Sequence, residues 1–136
     1  MQKTGSAEEK LAKAIEYYND DDNYKAGVLL EDITPLMRGK ADAEKAAYYL
    51  ANNYFKQDQF MMSAFYFKDF YLTYPRSTHV EETMYMHIYS LYKNSADYNL
   101  DQTNTYECLK AMSGFVARYP NSIYMDQCNV IATELN

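Results

Sequence analysis

Nineteen carboxylates, two histidines and two cysteines are the residues of this 136-residue chain whose types could do chemistry. Paired acids can share general acid–base work. Here they stand as Asp20-Asp21-Asp22, Glu31-Asp32 and Glu81-Glu82, at expected turns and helix starts, where a carboxylate is solvated and meets the positive end of the helix dipole. The run from Asp20 to Asp22 lacks the glycine and the closing glutamate of a calcium loop. His79 falls at a helix start and His87 inside a helix, each without a partner nearby in sequence, which is the setting of surface or seam histidines. Cys108 and Cys128 make no CxxC pair, and with only those histidines beside them they cannot complete a four-ligand zinc site. They read as two small buried thiols at packing positions, with a pairing in an oxidising compartment left open. No Gly-rich phosphate loop, nucleophile elbow or HExxH occurs. The expectation is no catalysis, no metal and no cofactor.

The elements that carry these residues are helices. Four glycines and three prolines are too few for a protein built on many tight turns, and 48% hydrophobic residues are enough for a packed core. A net charge of −6 without a basic cluster leaves nothing to neutralise many phosphates, which excludes nucleic acid as a partner. No apolar run approaches membrane-spanning length. The unusual quantity is sixteen tyrosines beside six phenylalanines and no tryptophan. A tyrosine has an apolar ring and a polar tip, so it serves helix seams and wet binding surfaces equally.

Residues 1–5 are read as a disordered or added start. Ser6-Ala7-Glu8-Glu9 is a capping box opening a helix with Leu11, Ala14, Ile15 and Tyr18 on one face. Asn19 to Asn23 is a turn, and a second helix runs from Tyr24 toward Leu36, ended near Pro35. A third helix is expected from Asp42 to about Phe55 and a fourth from Phe60 to Thr73. Thr78-His79-Val80-Glu81 reads as another capping box, opening a fifth helix to about Lys93, with a loop from Asn94 to Leu100. A sixth helix spans about Gln102 to Arg118 and a seventh Ser122 to Leu135.

Two of these segments end alike, in Tyr74-Pro75-Arg76-Ser77 and Tyr119-Pro120-Asn121-Ser122. The helix Ala43-Glu44-Lys45-Ala46-Ala47-Tyr48 also aligns with Val80-Glu81-Glu82-Thr83-Met84-Tyr85, and such self-similarity is the mark of a repeat. Leu50, Ala51, Tyr54, Phe60, Ser63, Phe67 and Pro75 occupy the consensus positions of a tetratricopeptide hairpin. Ala14, Ile15, Tyr18, Tyr24 and Gly27 fit the same pattern in the first hairpin, and Cys108 and Pro120 in the third. Small residues at those positions let two helices approach, and aromatics fill the adjacent gaps. The expected architecture is an all-α, tetratricopeptide-like solenoid over residues 6–136, with hairpins 6–39, 42–75 and 78–120 and an extra helix at 122–136.

In such a solenoid the first helix of each hairpin lines the concave surface. That register turns Tyr48, Asn52, Phe55 and Lys56 inward from the second hairpin and Tyr85, Tyr89, Tyr92 and Lys93 from the third, with Glu16 and Asn19 from the first. These residues form a candidate groove for an extended peptide, with rings for a terminal aromatic and a lysine for its carboxylate.

The stretch from Asp97 to Ser122 carries Leu100-Asp101-Gln102-Thr103, Tyr106, Phe115 and Tyr119-Pro120-Asn121-Ser122, followed by Tyr124. Together with Thr83-Met84-Tyr85-Met86 and Phe70 to Pro75, it resembles the BamD family of outer-membrane assembly lipoproteins. The resemblance runs from about Ala7 to Tyr124. It implies the amino-terminal repeats of a non-enzymatic subunit of the β-barrel assembly machinery, on the periplasmic face of the outer membrane. It further implies unfolded barrel proteins as partners of these repeats, a BamA-like subunit docked by further carboxy-terminal repeats, and a lipid anchor on a cysteine outside these residues. The alternative expectation is a periplasmic or cytoplasmic tetratricopeptide adaptor of another complex, such as a cell-division coordinator of the Tol–Pal type.

Overall fold

A computed structural model describes residues 6–97 and 102–135. The expected start at 1–5 and the Leu100-Asp101 pair lie outside the described residues.

Ser6 caps the start of the first helix in the way the sequence predicts. Its Oγ accepts the Glu9 N–H at 3.1 Å, and its own N–H donates to Glu9 Oε1 at 2.8 Å, which satisfies two amides that a helix start leaves orphaned. The helix α1 spans Ala7–Asn19. Asp21 then turns the chain at φ 62°, a conformation aspartate tolerates, and the Asp22 carboxylate accepts the Lys25 N–H at 3.3 Å to start α2, Asn23–Ile33. The Thr34 hydroxyl donates to the Leu30 carbonyl at 2.6 Å. Pro35 has no amide hydrogen to continue the ladder, so the chain tightens into a 3-10 turn, Thr34–Met37. Gly39, at φ 77°, supplies the left-handed residue that leads into α3, Ala43–Lys56. The remaining helices are α4 (Phe60–Thr73), α5 (Val80–Asp97), α6 (Gln102–Arg118) and α7 (Met125–Leu135). The chain is all-α: among the described residues there is no strand.

Asn94 to Asp97, expected to start a loop, are helical, because α5 runs through Asp97; the rest of that expected loop lies outside the described residues. Asn94 and Ser95 are buried, and Ser95 Oγ lies 3.4 Å from Thr105 Oγ1 of α6. Packing against α6 holds this polar turn in the helix against its weak intrinsic propensity.

The two Tyr-Pro-x-Ser segments fold as copies of one turn. Tyr74 N–H donates to the Phe70 carbonyl at 2.8 Å, and Tyr119 N–H to that of Phe115 at 2.7 Å. Ser77 N–H returns to the Tyr74 carbonyl at 3.0 Å, and Ser122 N–H to that of Tyr119 at 3.1 Å. Each serine hydroxyl then accepts the N–H two residues on, His79 or Tyr124, at 3.0 Å, a serine turn that feeds the next helix. At the start of α5 this bond belongs to Ser77, one residue before the Thr78 that the sequence suggests. Each tyrosine ring also leans on the preceding phenylalanine, with centroids 5.3 Å apart for Phe70–Tyr74 and 5.6 Å for Phe115–Tyr119.

The helices fall into two compact units, Met1–Gln59 and Phe60–Asn136. In the first, α2 packs on α1 and α3, and α1 touches α3. In the second, α5 packs on α4, α6 and α7, and α6 touches α7. Within each unit every helix thus meets the next and some meet the next but one, as in tetratricopeptide-like hairpins. The expected hairpins 6–39 and 78–120 fall inside one unit each, while the range 42–75 straddles the boundary. The consensus positions Leu50, Ala51, Tyr54, Phe60, Ser63 and Phe67 are all buried, as are Ala14, Gly27 and Cys108. Tyr24 departs from its assigned position in the pattern, since 77% of it is exposed.

Replacing Ser77 or Ser122 by alanine removes the bond that closes each turn. Each variant is expected to lose about 1 kcal/mol of unfolding free energy, measured by urea titration. Equal midpoints for wild type and both variants would show that the turns are held without the hydroxyls.

Candidate functional site

The residues that the sequence assigns to the groove lie in both units, and the stronger arrangement is in the second. Tyr85, Tyr89 and Tyr92 are spaced four and then three residues apart on α5, which brings them onto one helix face. Tyr124, just before α7, joins them. Its ring stacks on Tyr85 with centroids 4.5 Å apart and planes 6° from parallel. Tyr85 stacks on Tyr89 at 5.9 Å and 11°, and Tyr89 on Tyr92 at 6.2 Å and 21°. The Tyr92 hydroxyl donates to the Glu134 carboxylate near the end of α7. Four rings therefore form one continuous stack along α5.

The stack changes character along its length. Tyr85 is only 8% exposed and belongs to the core with Ile88, Met112, Phe115 and Ile131. Burial, then the neighbouring Tyr89, Cys128 and Tyr124, pushes its phenol up to about 12. Tyr89 and Tyr92 are half-buried, and the hydrogen bond to Glu134 is the main cause that raises the Tyr92 phenol above its ordinary value. Burial, followed by Glu82 and Glu81, raises that of Tyr124. Lys93 holds its ammonium 5.6 Å over the Phe60 ring.

In the first unit the assigned residues make contacts within α3 and with the turn between α1 and α2. Asn52 Nδ2 donates back to the Tyr48 carbonyl at 2.9 Å. Tyr48 meets Tyr49 edge-on at 5.7 Å, and Tyr49 meets Tyr18 at 5.0 Å. Lys56 is engaged by the turn between α1 and α2. Its ammonium lies 4.1 Å over the Tyr18 ring and donates to the Tyr18 carbonyl at 3.1 Å and to Asp21 Oδ1 at 2.8 Å. Phe55 is half-buried. Glu16 pairs with Lys13 at 3.0 Å on the exposed side of α1.

Sequence reasoning missed one ring of the stack and the carboxylate bonded to Tyr92. Tyr124 is visible in the Tyr-Pro-x-Ser-x-Tyr ending, but its contact with α5 depends on α7 folding back. Glu134 has no sequence signal, since it meets Tyr92 from 42 residues away.

Of the groups with chemical potential, His79 pairs at the surface while His87 and both cysteines are buried. His79 Nδ1 lies 3.3 Å from Glu82 Oε1. His87 is 7% exposed and meets the Tyr71 ring edge-on at 5.9 Å, with no hydrogen-bond partner for its Nδ1. Burial, reinforced by Lys68, depresses its pKa to about 4. Cys108 and Cys128 carry free, buried thiols. The Cys108 S–H donates to the Ile88 carbonyl at 3.5 Å, and burial pushes it up to about 12 and raises Cys128 as well. Among the described residues, no three His, Cys, Asp or Glu converge to hold a metal ion, and no helix is long and apolar enough to cross a membrane.

A family model described as "YfiO: Outer membrane lipoprotein" matches residues 3–136. No curated protein matches the chain.

His87 is neutral in the fold and charges more readily in the unfolded chain. With its pKa depressed from 6.5 to about 4, unfolding takes up a proton between those values, so stability falls as pH drops through that window. The loss is expected to reach about 3 kcal/mol, read as a lower urea midpoint at pH 4.5 than at pH 7. His87→Phe should flatten this dependence, and an unchanged slope in that variant would assign it to other groups. The thiols supply a separate test. Cys108 and Cys128 are expected to resist alkylation at pH 8 in the folded chain and to react promptly in denaturant, and fast native labelling would contradict their burial.

Proposed function

The chain belongs to the YfiO family of outer membrane lipoproteins, and from that premise we propose that it is a non-enzymatic scaffold of outer-membrane β-barrel assembly, receiving unfolded barrel protein on the tyrosine stack of α5. On this reading it works at the periplasmic face of the outer membrane, and its partners are proteins.

The observation that carries the reading is the gradation of the stack. Tyr85 anchors it in the core, with the partly buried Tyr124 stacked on one side, while Tyr89 and Tyr92 remain half-buried with their rings already aligned. An aromatic side chain of an extended peptide would extend the stack at that end. Such a ring pair contributes about 0.5–1.5 kcal/mol beyond the area it buries. Tyrosine suits the task because its two torsions are already held by neighbouring rings, so little side-chain entropy is lost on binding. An unfolded strand ending in an aromatic residue has the matching chemistry. Lys93, at the neighbouring position on α5, is the cation proposed to receive its terminal carboxylate. Tyr48, Asn52, Phe55 and Lys56 are proposed as peptide-contacting positions of the first unit in their own right, with Lys56 bound to the turn at Tyr18 and Asp21.

The roles of the rings can be separated by substitution. Tyr89→Ala and Tyr92→Ala are each expected to weaken binding of a barrel protein's carboxy-terminal peptide by about tenfold, measured by fluorescence anisotropy, with the circular dichroism spectrum unchanged. Tyr85→Ala should instead lower thermal stability, because it removes a core ring. Full peptide affinity in the folded Tyr89→Ala and Tyr92→Ala variants would remove the stack from substrate reception.

A further inference from the structure

In the unit Met1–Gln59, an open cavity of about 230 Å³ lies between α2 and α3. Its walls are Tyr24, Gly27 and Glu31 on α2, with Asn53, Tyr54 and Gln57 at the end of α3. Gly27 lets the two helices come this close: a Cβ there would stand 2.9 Å from Asn53 Nδ2 and 3.1 Å from Gln57 Nε2.

The wall uses its hydrogen-bond donors on itself. Asn53 Nδ2 and Gln57 Nε2 both donate to a single carbonyl, that of Asn23, at 3.1 and 2.6 Å. This bond fixes which way the Asn53 amide faces. Gln57 Oε1 is taken by Gln59 Nε2 at 2.7 Å. The Tyr54 hydroxyl donates to the Glu31 carboxylate at 2.6 Å, holding it at the cavity wall. Acceptors are left over. On the wall itself Asn53, 2% exposed, has no partner for Oδ1; beside the lining, Asn23 also leaves a buried Oδ1 unpartnered. Buried acceptors without donors are costly and uncommon. Among the described residues that line the cavity, one is an acid and none is basic. At the mouth stands Tyr24, whose ring is exposed although the repeat pattern gives it a core position.

We propose that this cavity binds the side chain of an arginine presented by a protein partner. The guanidinium is planar, permanently charged and rich in donors, which is what an acceptor-rich wall with one held carboxylate requires. Glu31 takes the charge-assisted bond, and the exposed face of Tyr24 stacks on the guanidinium plane. The cavity has room for one long side chain, and the net charge of −6 favours the approach of a cationic segment. The site lies in the other unit from the tyrosine stack and depends on none of its residues.

The test is a titration of the ¹⁵N-labelled chain with a capped Gly-Arg-Gly peptide, followed by amide chemical shifts. Saturable shifts are expected at Gly27, Glu31, Asn53 and Tyr54. The same peptide with citrulline, which keeps the shape and loses the charge, should bind at least about tenfold more weakly, the loss of one charge-assisted hydrogen bond. Glu31→Gln should weaken the arginine peptide to a similar degree, whereas Tyr92→Ala should leave it unchanged. The proposal is overturned by an absence of saturable shifts at these residues, by citrulline binding as well as arginine, or by undiminished binding to folded Glu31→Gln. If that variant does not fold, the arginine–citrulline comparison on the unaltered chain decides.

Discussion

Close approach of neighbouring helices at small residues is the constraint on which the rest of this structure depends. It recurs at the positions where the repeat pattern asks for a small side chain. Gly27 leaves α2 no room for a Cβ before the amides of Asn53 and Gln57. Ser63 of α4 donates to Ser90 of α5 at 2.7 Å, both fully buried. Cys108 of α6 reaches the Ile88 carbonyl of α5. A larger side chain at any of these points would push two helices apart, and a packed interior has little capacity to absorb that volume.

Once the helices are this near, the large aromatics have two places to go. Phe67, Phe70 and Phe115 fill the gaps beside the small residues and are fully buried. The tyrosines line the seams, where a ring can pack while its hydroxyl finds a polar partner, as Tyr54 does on Glu31 and Tyr92 on Glu134. The rings of α5 align because α5 is packed on three sides, by α4, α6 and α7. The same packing puts His87 and both cysteines out of reach of solvent and holds their charged forms at a disadvantage. Residues that could do chemistry elsewhere act here as core.

Much of this was legible along the chain, because the signals involved are local. The Ser6–Glu9 capping box, the helix from Phe60 to Thr73, the helix from Gln102 to Arg118 and the two Tyr-Pro terminators each depend on residues within a few positions of one another. Three places have surroundings that their local pattern does not announce. Asn94 and Ser95 look like a loop and are helical because α6 covers them. Tyr24 has the consensus spacing and stands outside the core. Lys56 has the position of a groove cation and is bound by the turn at Tyr18 and Asp21. At Asn94 and Ser95 the next helix outweighs the local preference, and at Lys56 a turn distant in sequence adds its own bonds; nothing in the structure explains the exposure of Tyr24.

The sequence by itself determined that the chain is helical, where its helices begin and end to within a few residues, and which positions must be small or aromatic. Those properties follow from periodicity, capping and the missing amide hydrogen of proline, all of which act over a turn or two of chain. Only the tertiary structure decided which tyrosines became core and which stayed at the surface. Tyr85, Tyr89 and Tyr92 share one helix face and are equivalent in pattern, yet Tyr85 is buried while the other two keep exposed edges. Tyr85 differs in being covered by Tyr124, which stacks on it from some forty residues away, and no local rule specifies where so distant a residue will land.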